Sequence, residues 1–309
     1  MSVRPPRNLS SGDPHFPNWA EIELPKAWPD HLSLSSWRGV KEFWRDVVIN
    51  KKKPVRLPDA VMGAELIPKY ALQEFHNLPN GVYSHRFSRG YITGFDLSML
   101  GELACVRQWI SDQLNSDPQQ SCPSFVDVQN HKSFLDLGCA GGKLAAVFAK
   151  AGAKDVWGID PSPYLLKHAA HDFPQLSFVQ GVAEDLPFAN ERFDGVGACF
   201  LFHELPPRYI ELALAEVARV LKPGAKFVLA EPSPVQLEQG YGRLLKRYGV
   251  KGVYFKWLAG KMYEPFVCSW HNFDLEAAAQ KVGLVILTND YGMPVRRIVL
   301  QKDVDRFVS

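Results

Sequence analysis

The sequence lacks several features that would assign it to a broad class at once. Its 35 lysines and arginines nearly balance 33 acidic residues, so the net charge of +2 gives no electrostatic reason to expect a nucleic-acid partner. The five cysteines lie far apart, and no pair has metal-ligand spacing. This usage favours reduced thiols in a reducing compartment. We therefore expect a cytoplasmic protein without a metal site or a nucleic-acid partner.

Long apolar runs are also missing. No stretch approaches the roughly 18 apolar residues that span a bilayer, and the opening residues MSVRPPRNLSSGDPHF contain no apolar segment of a signal peptide. The sequence thus predicts no integral membrane segment. What it does have is an ordinary globular composition, 46% hydrophobic and 22% charged, over 309 residues. Such a chain is long enough to bury a sizeable core.

The chain divides into two parts by its hydrophobic pattern. Residues 1–125 are weakly periodic, but their many large aromatic residues argue against disorder and predict a cap of mixed loop and helix on the substrate side. Helices are expected over Ser36–Ile49, Met62–Glu74 and Asp96–Leu114. Residues 126–309 instead alternate short apolar runs with amphipathic segments, which is typical of a core domain.

This alternation predicts an α/β fold with a Rossmann-like, seven-stranded and mostly parallel sheet that carries helices on both faces. The last two apolar runs, LVILTND and RRIVLQK, are separated only by YGMPV. So short a connection excludes a helical crossover and predicts an antiparallel last strand. An insert over 233–272 separates the fifth strand from the last helix, and we expect it to cover the substrate side.

The most informative stretch is SFLDLGCAGGKLAAVFAKAG, which begins at Ser133. A glycine-rich turn between a strand and a helix allows a ligand to approach the backbone and the free helix N–H groups. Ala140 and Lys143 stand where G-x-G-x-x-G would need its second and third glycines, which disfavours a dinucleotide. Asp136, just before the turn, would repel a pyrophosphate but would favour a ligand with an amino group and a sulfonium.

Five motifs in order make the chain similar to the class I S-adenosylmethionine-dependent methyltransferases, in particular to the small-molecule group that includes the quinone-biosynthesis enzymes. They are LDLGCAGG, GID, GVAEDLPF, FDGV and ARVLKPGAKFVLAE, and they fall within about residues 133–301. The resemblance implies methyl transfer from S-adenosylmethionine, which leaves S-adenosylhomocysteine, to O, C or N of a cyclic or aromatic small molecule. A monomer or homodimer is expected. Two alternatives are a catalytically silent cofactor-binding interaction module and a nicotinamide-dependent oxidoreductase.

The resemblance also implies a cofactor site at the strand ends. Asp136 and the glycine turn would line the methionine and ribose part, and Asp160 would accept hydrogen bonds from the ribose hydroxyls. Asp160 could instead cap the helix that follows it. The expected cofactor-binding residues are Asp136, Gly138, Cys139, Ala140, Gly142, Asp160, Pro161, Ser162, Ala183, Glu184, Cys199 and Phe200.

Substrate choice is expected to lie in the additions to the core. In the insert, YGRLLKRYGVKGVYFKWLAGKMYEPF interleaves basic and aromatic residues. This pattern fits a lid over an apolar or anionic acceptor, a solvated amphipathic helix, or contact with a membrane surface or nucleic acid. In the cap, YSHRFSRGY could close on the ligands or brace the fold. The expected acceptor-binding residues are Tyr83, Arg86, Tyr91, Tyr241, Tyr254, Trp257, Tyr263 and His271.

His203 is the candidate general base. It follows the fourth strand in FLFHELPPR, where loops at strand ends form the binding crevice of open α/β sheets. Its apolar neighbours would desolvate the imidazole and favour the neutral form, which can accept a proton from a hydroxyl or an acidic carbon. A hydrogen-bonded cavity wall is the alternative role. His85 is held in reserve as a second candidate base.

Overall fold

The structure, a computed structural model, describes residues 17–32, 36–37, 40–41, 45, 55–116 and 132–304. Most of the helix expected over 36–49 lies outside these residues. The boundary expected at residue 125 between cap and core also lies outside them, so this division of the chain stays a prediction.

A seven-stranded sheet forms the centre of the described chain. Its strand order is β3-β2-β1-β4-β5-β7-β6, and β7 is antiparallel to both of its neighbours while the remaining pairs are parallel. The predicted fold class and the antiparallel last strand are therefore confirmed. The strands are β1 (Ser133–Leu137), β2 (Asp155–Asp160), β3 (Ser177–Gln180), β4 (Phe193–Cys199), β5 (Leu221–Pro232), β6 (Leu284–Tyr291) and β7 (Val295–Lys302).

Helices cover both faces of the sheet, as predicted. None of the helices among the described residues is both long and apolar enough to cross a membrane. The helices are α1 (His85–Ser98), α2 (Glu102–Asn115), α3 (Lys143–Lys150), α4 (Pro163–Asp172), α5 (Pro207–Val220), α6 (Val235–Glu238), α7 (Tyr241–Ala259), α8 (Val267–His271) and α9 (Leu275–Lys281).

The two faces are buried because successive side chains of a strand point to opposite sides. Leu135 and Val196 pack in one apolar core with residues of α5 and α9, whereas Phe134 and Val228 pack in a second core with residues of α2, α3 and α7. Strands buried on both faces explain the short, continuous apolar runs of the sequence. The strand order reverses between β1 and β4, and this reversal places the binding crevice above these two strands.

The cap differs from its predicted helices in two places. Over Met62–Glu74 the chain forms only short 3₁₀ turns, at Ala64–Leu66 and Lys69–Ala71. Pro68 between these turns lacks a backbone N–H and clashes with a preceding turn of helix, so a continuous helix is disfavoured. The predicted helix was therefore wrong, although the segment itself is ordered against the body.

The helix predicted over Asp96–Leu114 is two helices. Leu100 and Gly101 both have positive φ, 51° and 83°, and this break separates α1 from α2. The first helix begins eleven residues earlier than expected, at His85, because the Ser84 hydroxyl accepts a hydrogen bond from the Phe87 N–H at 3.1 Å and caps it. The break aims the far end of α1 at the strand ends of the sheet.

The cap is attached to the core by buried hydrogen bonds. The Trp19 indole N–H donates to the Phe178 carbonyl at 3.0 Å, and the Tyr164 hydroxyl donates to the Pro25 carbonyl at 2.6 Å. These contacts join the cap to β3 and to α4. Of the cap tryptophans, Trp19 is thus explained by packing against the sheet, whereas Trp37 is 83% exposed.

Gly142 provides a test of how tightly the turn after β1 is packed. Its φ is +74°, and a Cβ there would lie 2.7 Å from Cζ of the buried Phe178. We expect Gly142→Ala to lose about 1–2 kcal/mol of unfolding free energy from the backbone conformation and a further loss of about 1–3 kcal/mol from overpacking. Urea denaturation measures both.

Gly101→Ala is the matched control, because Gly101 also has positive φ, +83°, but has nothing within 4 Å of the added Cβ. This variant should show the conformational loss alone. Equal losses in the two variants would contradict the packing described for Gly142.

Candidate functional site

The turn between β1 and α3 lines a first cavity, here called the turn cavity. Gly138 has a φ of +70°, and a Cβ at this position would lie 2.8 Å from the Leu201 side chain, so only glycine fits under the loop that follows β4. Cys139 and Ala140 also line the turn cavity. Gly142 does not line the turn cavity. The space that a side chain at Gly142 would need is occupied by the ring of Phe178.

Asp136 ends β1 beneath this turn and is almost completely buried. Its Oδ2 accepts a hydrogen bond from the Ala145 N–H of α3 at 2.9 Å. Burial raises the pKa of Asp136 to about 7, although this hydrogen bond and the nearby Arg107 act in the opposite direction. The carboxyl is therefore poised to take up a cationic partner, which would stabilise its charged form.

The outer end of the turn cavity is charged. Arg107 donates to Asp96 at 2.6 Å, and Lys143 contacts the same carboxylate and donates to the Ile92 carbonyl at 2.6 Å. All three charged side chains line the cavity. Neither Arg107 nor Asp96 was predicted as a site residue. Arg107 lies beside the buried stripe of α2, and Asp96 was noted only as the expected start of a helix. The available signal was an arginine next to the core position Val106.

Asp160 ends β2 and connects two turns. Its Oδ2 accepts from the Ala140 N–H and its Oδ1 from the Ser162 N–H, both at 2.9 Å. Burial raises the pKa of Asp160 to about 7, opposed by these two hydrogen bonds. The residue that caps α4 is Ser162 and not Asp160, because the Ser162 hydroxyl accepts a hydrogen bond from the Leu165 N–H. Ser162 is completely buried and lines none of the three cavities described here.

A second cavity of about 840 Å³, the strand-end cavity, lies beside the turn cavity. The two share Tyr91, Gly138, Ala140 and Cys199 as walls. Burial raises the pKa of the Cys199 thiol to about 12, so this cysteine is a small wall residue rather than a thiolate. Further residues expected at the cofactor or the acceptor also line the strand-end cavity, namely Tyr83, Asp160, Pro161, Ala183 and Phe200.

Glu184 lies beside the strand-end cavity without lining it. Its Oε1 accepts a hydrogen bond from the Tyr70 hydroxyl at 2.6 Å, and burial raises the pKa of the Glu184 carboxyl. The cap residue Tyr70 does line the cavity. Glu184 thus holds Tyr70 in the wall, a contact that no pattern in the sequence indicated.

A third cavity of about 610 Å³, the apolar cavity, lies behind Phe200. It shares His76 and Phe200 with the strand-end cavity. Phe200 has a φ of +62°, a strained conformation for a non-glycine residue that is typical of functional sites. The insert supplies much of the apolar wall, through Phe255, Leu258, Ala259, Met262 and Val267. A lid is therefore the role of the insert that this packing favours.

His203 lines the apolar cavity and is only 1% exposed. Its Nδ1 lies 2.7 Å from Oε2 of Glu231, and its Nε2 lies 3.6 Å from Oε2 of Glu264. Burial alone would lower the pKa of His203, but the hydrogen bond that its Nδ1–H donates to Glu231 and the charges of the surrounding glutamates outweigh burial and raise the pKa. The expectation that desolvation keeps this imidazole neutral was wrong, because three carboxylates face it.

Glu231 is the residue that holds His203 in place. It ends β5, has no exposed surface, and accepts backbone hydrogen bonds from Leu201 at 3.0 Å and Phe202 at 2.8 Å. One buried carboxylate therefore orients both the imidazole and the loop after β4. Sequence analysis recognised its motif but not this contact, since it joins residues that are 28–30 positions apart.

His76 occupies the wall between the strand-end and apolar cavities. Its Nδ1 lies 2.7 Å from Glu264 and its Nε2 lies 3.2 Å from Glu204, while its ring stacks on Tyr91. Burial would lower the pKa of His76, but these two carboxylates raise it to about 10. The three groups are close enough to hold a metal ion. However, each imidazole nitrogen faces a different carboxylate, which fits an imidazolium between two anions.

Several expected site residues lie elsewhere. The Nε2–H of His85 donates a hydrogen bond to the Leu24 carbonyl, 3.0 Å away, and His85 lines none of the three cavities, so the geometry gives it no position as a base. Arg86 donates to the Leu32 carbonyl and braces the cap.

Four aromatic residues of the insert were expected to bind the acceptor, and none of the four lines the apolar cavity. Tyr241 and Trp257 are half exposed, the Tyr254 hydroxyl donates to the Ser98 carbonyl, and the Tyr263 carbonyl accepts from the His76 N–H. Their assignment to the acceptor site stays a prediction, although these four residues do not line this cavity. His271 does line the apolar cavity, with its Nε2 at 3.1 Å from the Pro232 carbonyl.

Comparison with known proteins agrees with the geometry. Residues 134–224 match the family model described as a methyltransferase domain. An uncharacterized methyltransferase of Synechocystis is 43% identical over 97 residues, 31% of this chain and 45% of that protein. The demethylmenaquinone methyltransferase of Chlorobaculum parvum is 35% identical over 107 residues, 35% of this chain and 44% of that protein. The predicted resemblance to class I S-adenosylmethionine-dependent methyltransferases is thereby confirmed for this part of the chain.

Other matches have different acceptors in their names. The fatty-acid O-methyltransferase of Mycolicibacterium smegmatis is 35% identical over 130 residues, 40% of this chain and 46% of that protein. The chain thus spans less than half the length of these curated relatives. The structure of magnesium protoporphyrin IX methyltransferase from Synechocystis, with bound S-adenosylhomocysteine, aligns with a TM-score of 0.44 at 15% identity, over 67% of this chain and 84% of that one.

The paired charges of His76 predict a pH-dependent contribution to stability. Because the pKa of His76 is about 10 in the folded chain and about 6.5 in an unfolded one, its contribution is complete below pH 6.5 and is lost as the pH rises through 10. We expect His76→Gln to lower the unfolding free energy by about 3 kcal/mol at pH 6, the usual loss on breaking a buried ion pair. The loss should shrink progressively toward pH 10.

Urea denaturation across this pH range measures the effect. The double variant His76→Gln/Glu264→Gln is the control, because it also removes one carboxylate that the single variant leaves buried beside a neutral side chain. It should be less destabilised than the sum of the single variants. A pH-independent loss in His76→Gln would show that His76 is neutral in the folded protein.

Proposed function

We propose that the chain transfers a methyl group from S-adenosylmethionine to a small, largely apolar acceptor held in the apolar cavity. One observation carries this proposal. Phe200, at the end of β4, separates a pair of cavities lined by the family's cofactor motifs from an apolar cavity that contains a carboxylate–imidazole pair. A donor on one side and an acceptor with a base on the other are what methyl transfer requires.

The residues of the turn and strand-end cavities fit the cofactor. Asp136 would face the amino group and the sulfonium charge, and Arg107 and Lys143 would bind the carboxylate of the amino-acid part. Asp160, with its carboxylate fixed by two backbone N–H groups, would accept hydrogen bonds from the ribose hydroxyls. When bound, S-adenosylmethionine supplies an activated methyl group on a sulfonium.

The acceptor is proposed to be cyclic or aromatic, with an ionisable hydroxyl or acidic carbon. The apolar walls favour such a molecule by removing its surface from water, and they exclude water from the reacting atoms. His203 would take the acceptor's proton at Nε2, while the hydrogen bond of its Nδ1 to Glu231 fixes the ring orientation. An amine acceptor would need no general base, and His203 would then only contact the acceptor.

The alternatives from the sequence make different predictions for binding. A nicotinamide-dependent oxidoreductase would bind NAD, and a catalytically silent module would bind S-adenosylhomocysteine without turnover. Isothermal calorimetry with NAD and with S-adenosylhomocysteine distinguishes an oxidoreductase from a methyltransferase. A screen of acceptors for turnover distinguishes an active methyltransferase from a silent module. The predicted cytoplasmic location, the monomeric or dimeric state and the absence of a nucleic-acid partner stay predictions.

Asp160→Asn tests the cofactor assignment. Asparagine keeps the size and can still accept a backbone hydrogen bond, but it lacks the charge. Loss of charge-assisted hydrogen bonds to the ribose should cost about 1.5–3 kcal/mol, or roughly 10–100-fold in the dissociation constant of S-adenosylhomocysteine. Calorimetry gives the constant, and thermal unfolding without ligand controls for the fold. Unchanged affinity in a folded variant would remove Asp160 from the cofactor site.

His203→Asn tests the base. We expect single-turnover methyl transfer to fall by roughly 10²–10⁴-fold, the usual contribution of a positioned base. Because the pKa of His203 is raised, the wild-type rate should increase with pH above the ordinary range of imidazole, as the ring loses its proton. His271→Asn is the matched control from the same cavity, and it should keep this pH dependence.

Glu231→Gln tests the role of His203 by a measurement that needs no acceptor. Removal of the charge at 2.7 Å from Nδ1 should lower the pKa of His203, and NMR titration of the imidazole measures that shift directly. The rate profile of this variant should move to lower pH by the same amount. If the pH dependence of the rate does not match the protonation of His203 and does not shift in Glu231→Gln, then His203 is a residue of the cavity wall and not the base.

A further inference from the structure

The helix α7 has two faces with different chemistry. Phe255, Leu258 and Ala259 point inward and line the apolar cavity. The outward side carries only positive charge, since the helix contains Arg243, Lys246, Arg247, Lys251 and Lys256 and no acidic residue. A single-sign charge of this kind on one exposed helix is distinct from the balanced charge of the whole chain, which is +2.

Part of this charge is already compensated. Lys251 contacts Glu102 at the start of α2, and Lys256 donates to the carbonyls of Gln236 and Leu237. The other three, Arg243, Lys246 and Arg247, are exposed, and the described residues place no carboxylate within ion-pair distance of them. Their spacing of i, i+3 and i+4 places them on one side of the helix.

Large aliphatic side chains accompany these charges. Val250 is 78% exposed, and at the end of α1 Leu97 is 77% exposed, with Leu100 following it in the break before α2. Tyr254 of α7 donates to the Ser98 carbonyl and Lys251 contacts Glu102, so Leu97 and Leu100 lie beside the second half of α7. Arg243, Lys246 and Arg247 lie on the first half of the same helix, before the kink at Gly249. Exposed aliphatic side chains at such density mark interaction sites.

We propose that this surface, formed by the outer side of α7 and by Leu97 and Leu100, docks on an anionic lipid bilayer. Basic residues next to aliphatic ones are the composition of helices that lie in a membrane interface, where the charges meet anionic headgroups and the apolar groups enter the acyl boundary. Tyr241 and Trp257 of α7 are half exposed, and aromatic rings also belong to the composition of helices in a membrane interface. Nucleic acid is the less favoured partner, because it would leave the exposed aliphatic side chains of Leu97, Leu100 and Val250 without an apolar environment.

Docking would also place the apolar cavity at the lipid surface, since α7 forms both. An apolar acceptor dissolved in the bilayer would then reach the cavity without crossing water. The proposal is nevertheless independent of methyl transfer, because it is based on the outer surface alone. It describes attachment to one leaflet, which needs no membrane-spanning helix.

Vesicle flotation of the full chain tests the proposal, with vesicles of phosphatidylglycerol mixed into phosphatidylcholine and vesicles of phosphatidylcholine alone. We expect binding to the anionic vesicles only, weakened by added salt. The triple variant Arg243→Gln/Lys246→Gln/Arg247→Gln should lower the partition coefficient roughly fivefold per charge, or about 100-fold in total.

The matched control is Lys150→Gln/Lys154→Gln/Lys281→Gln. It removes the same charge from exposed positions near the amino ends of β2 and β6, at the end of the sheet opposite to the carboxyl ends of the parallel strands. This variant should bind as the wild type does. Equal losses in the two triple variants would reduce the effect to net charge and overturn the proposal.

A neutral pair of substitutions separates lipid from other anions. Leu97→Ser/Val250→Ser keeps every charge and should weaken vesicle binding by roughly tenfold or more, because the aliphatic groups no longer leave water. If this variant binds vesicles normally and the wild type binds single-stranded DNA more tightly, the surface is a nucleic-acid site and the proposal is wrong. Absence of vesicle binding would overturn it as well, whatever the outcome of cofactor calorimetry.

Discussion

The arrangement above the sheet depends on one buried carboxylate, that of Glu231. It ends β5 in the interior, takes the backbone N–H groups of Leu201 and Phe202, and contacts the imidazole of His203. A buried charge is stable only where several donors surround it. These donors all come from the loop after β4, so Glu231 determines the path of that loop and with it the position of Phe200 between the cavities.

A second consequence of burying Glu231 is an accumulation of negative charge at the strand ends. Glu204 and Glu264 lie near it, and a crevice with three carboxylates would be unstable without cations. His203 and His76 supply them, and this explains why both imidazoles have raised pKa values despite complete burial. The alternation of carboxylates and imidazoles thus stabilises the crevice.

The insert after β5 unites two roles that the sequence presented as alternatives. The interior side of α7 contributes apolar wall to a cavity, as expected for a lid, while its exterior is basic and solvated, as expected for a surface helix. A helix has enough circumference for both, because its faces are separated by the 3.6-residue period. The kink at Gly249, with φ of +64°, divides α7 into two halves.

The sequence alone determined the sheet, its seven strands, the antiparallel last strand and the family, because these follow from local periodicity and from motifs whose residues are close together in the chain. It also located Asp136, Asp160 and His203 at strand ends. It could not distinguish His85, in a bracing position, from His76, in the cavity wall, because the contacts of both histidines are with residues far away in the chain. That choice and the partners of His203 depend on contacts between residues far apart in the chain, which only tertiary packing brings within hydrogen-bond distance.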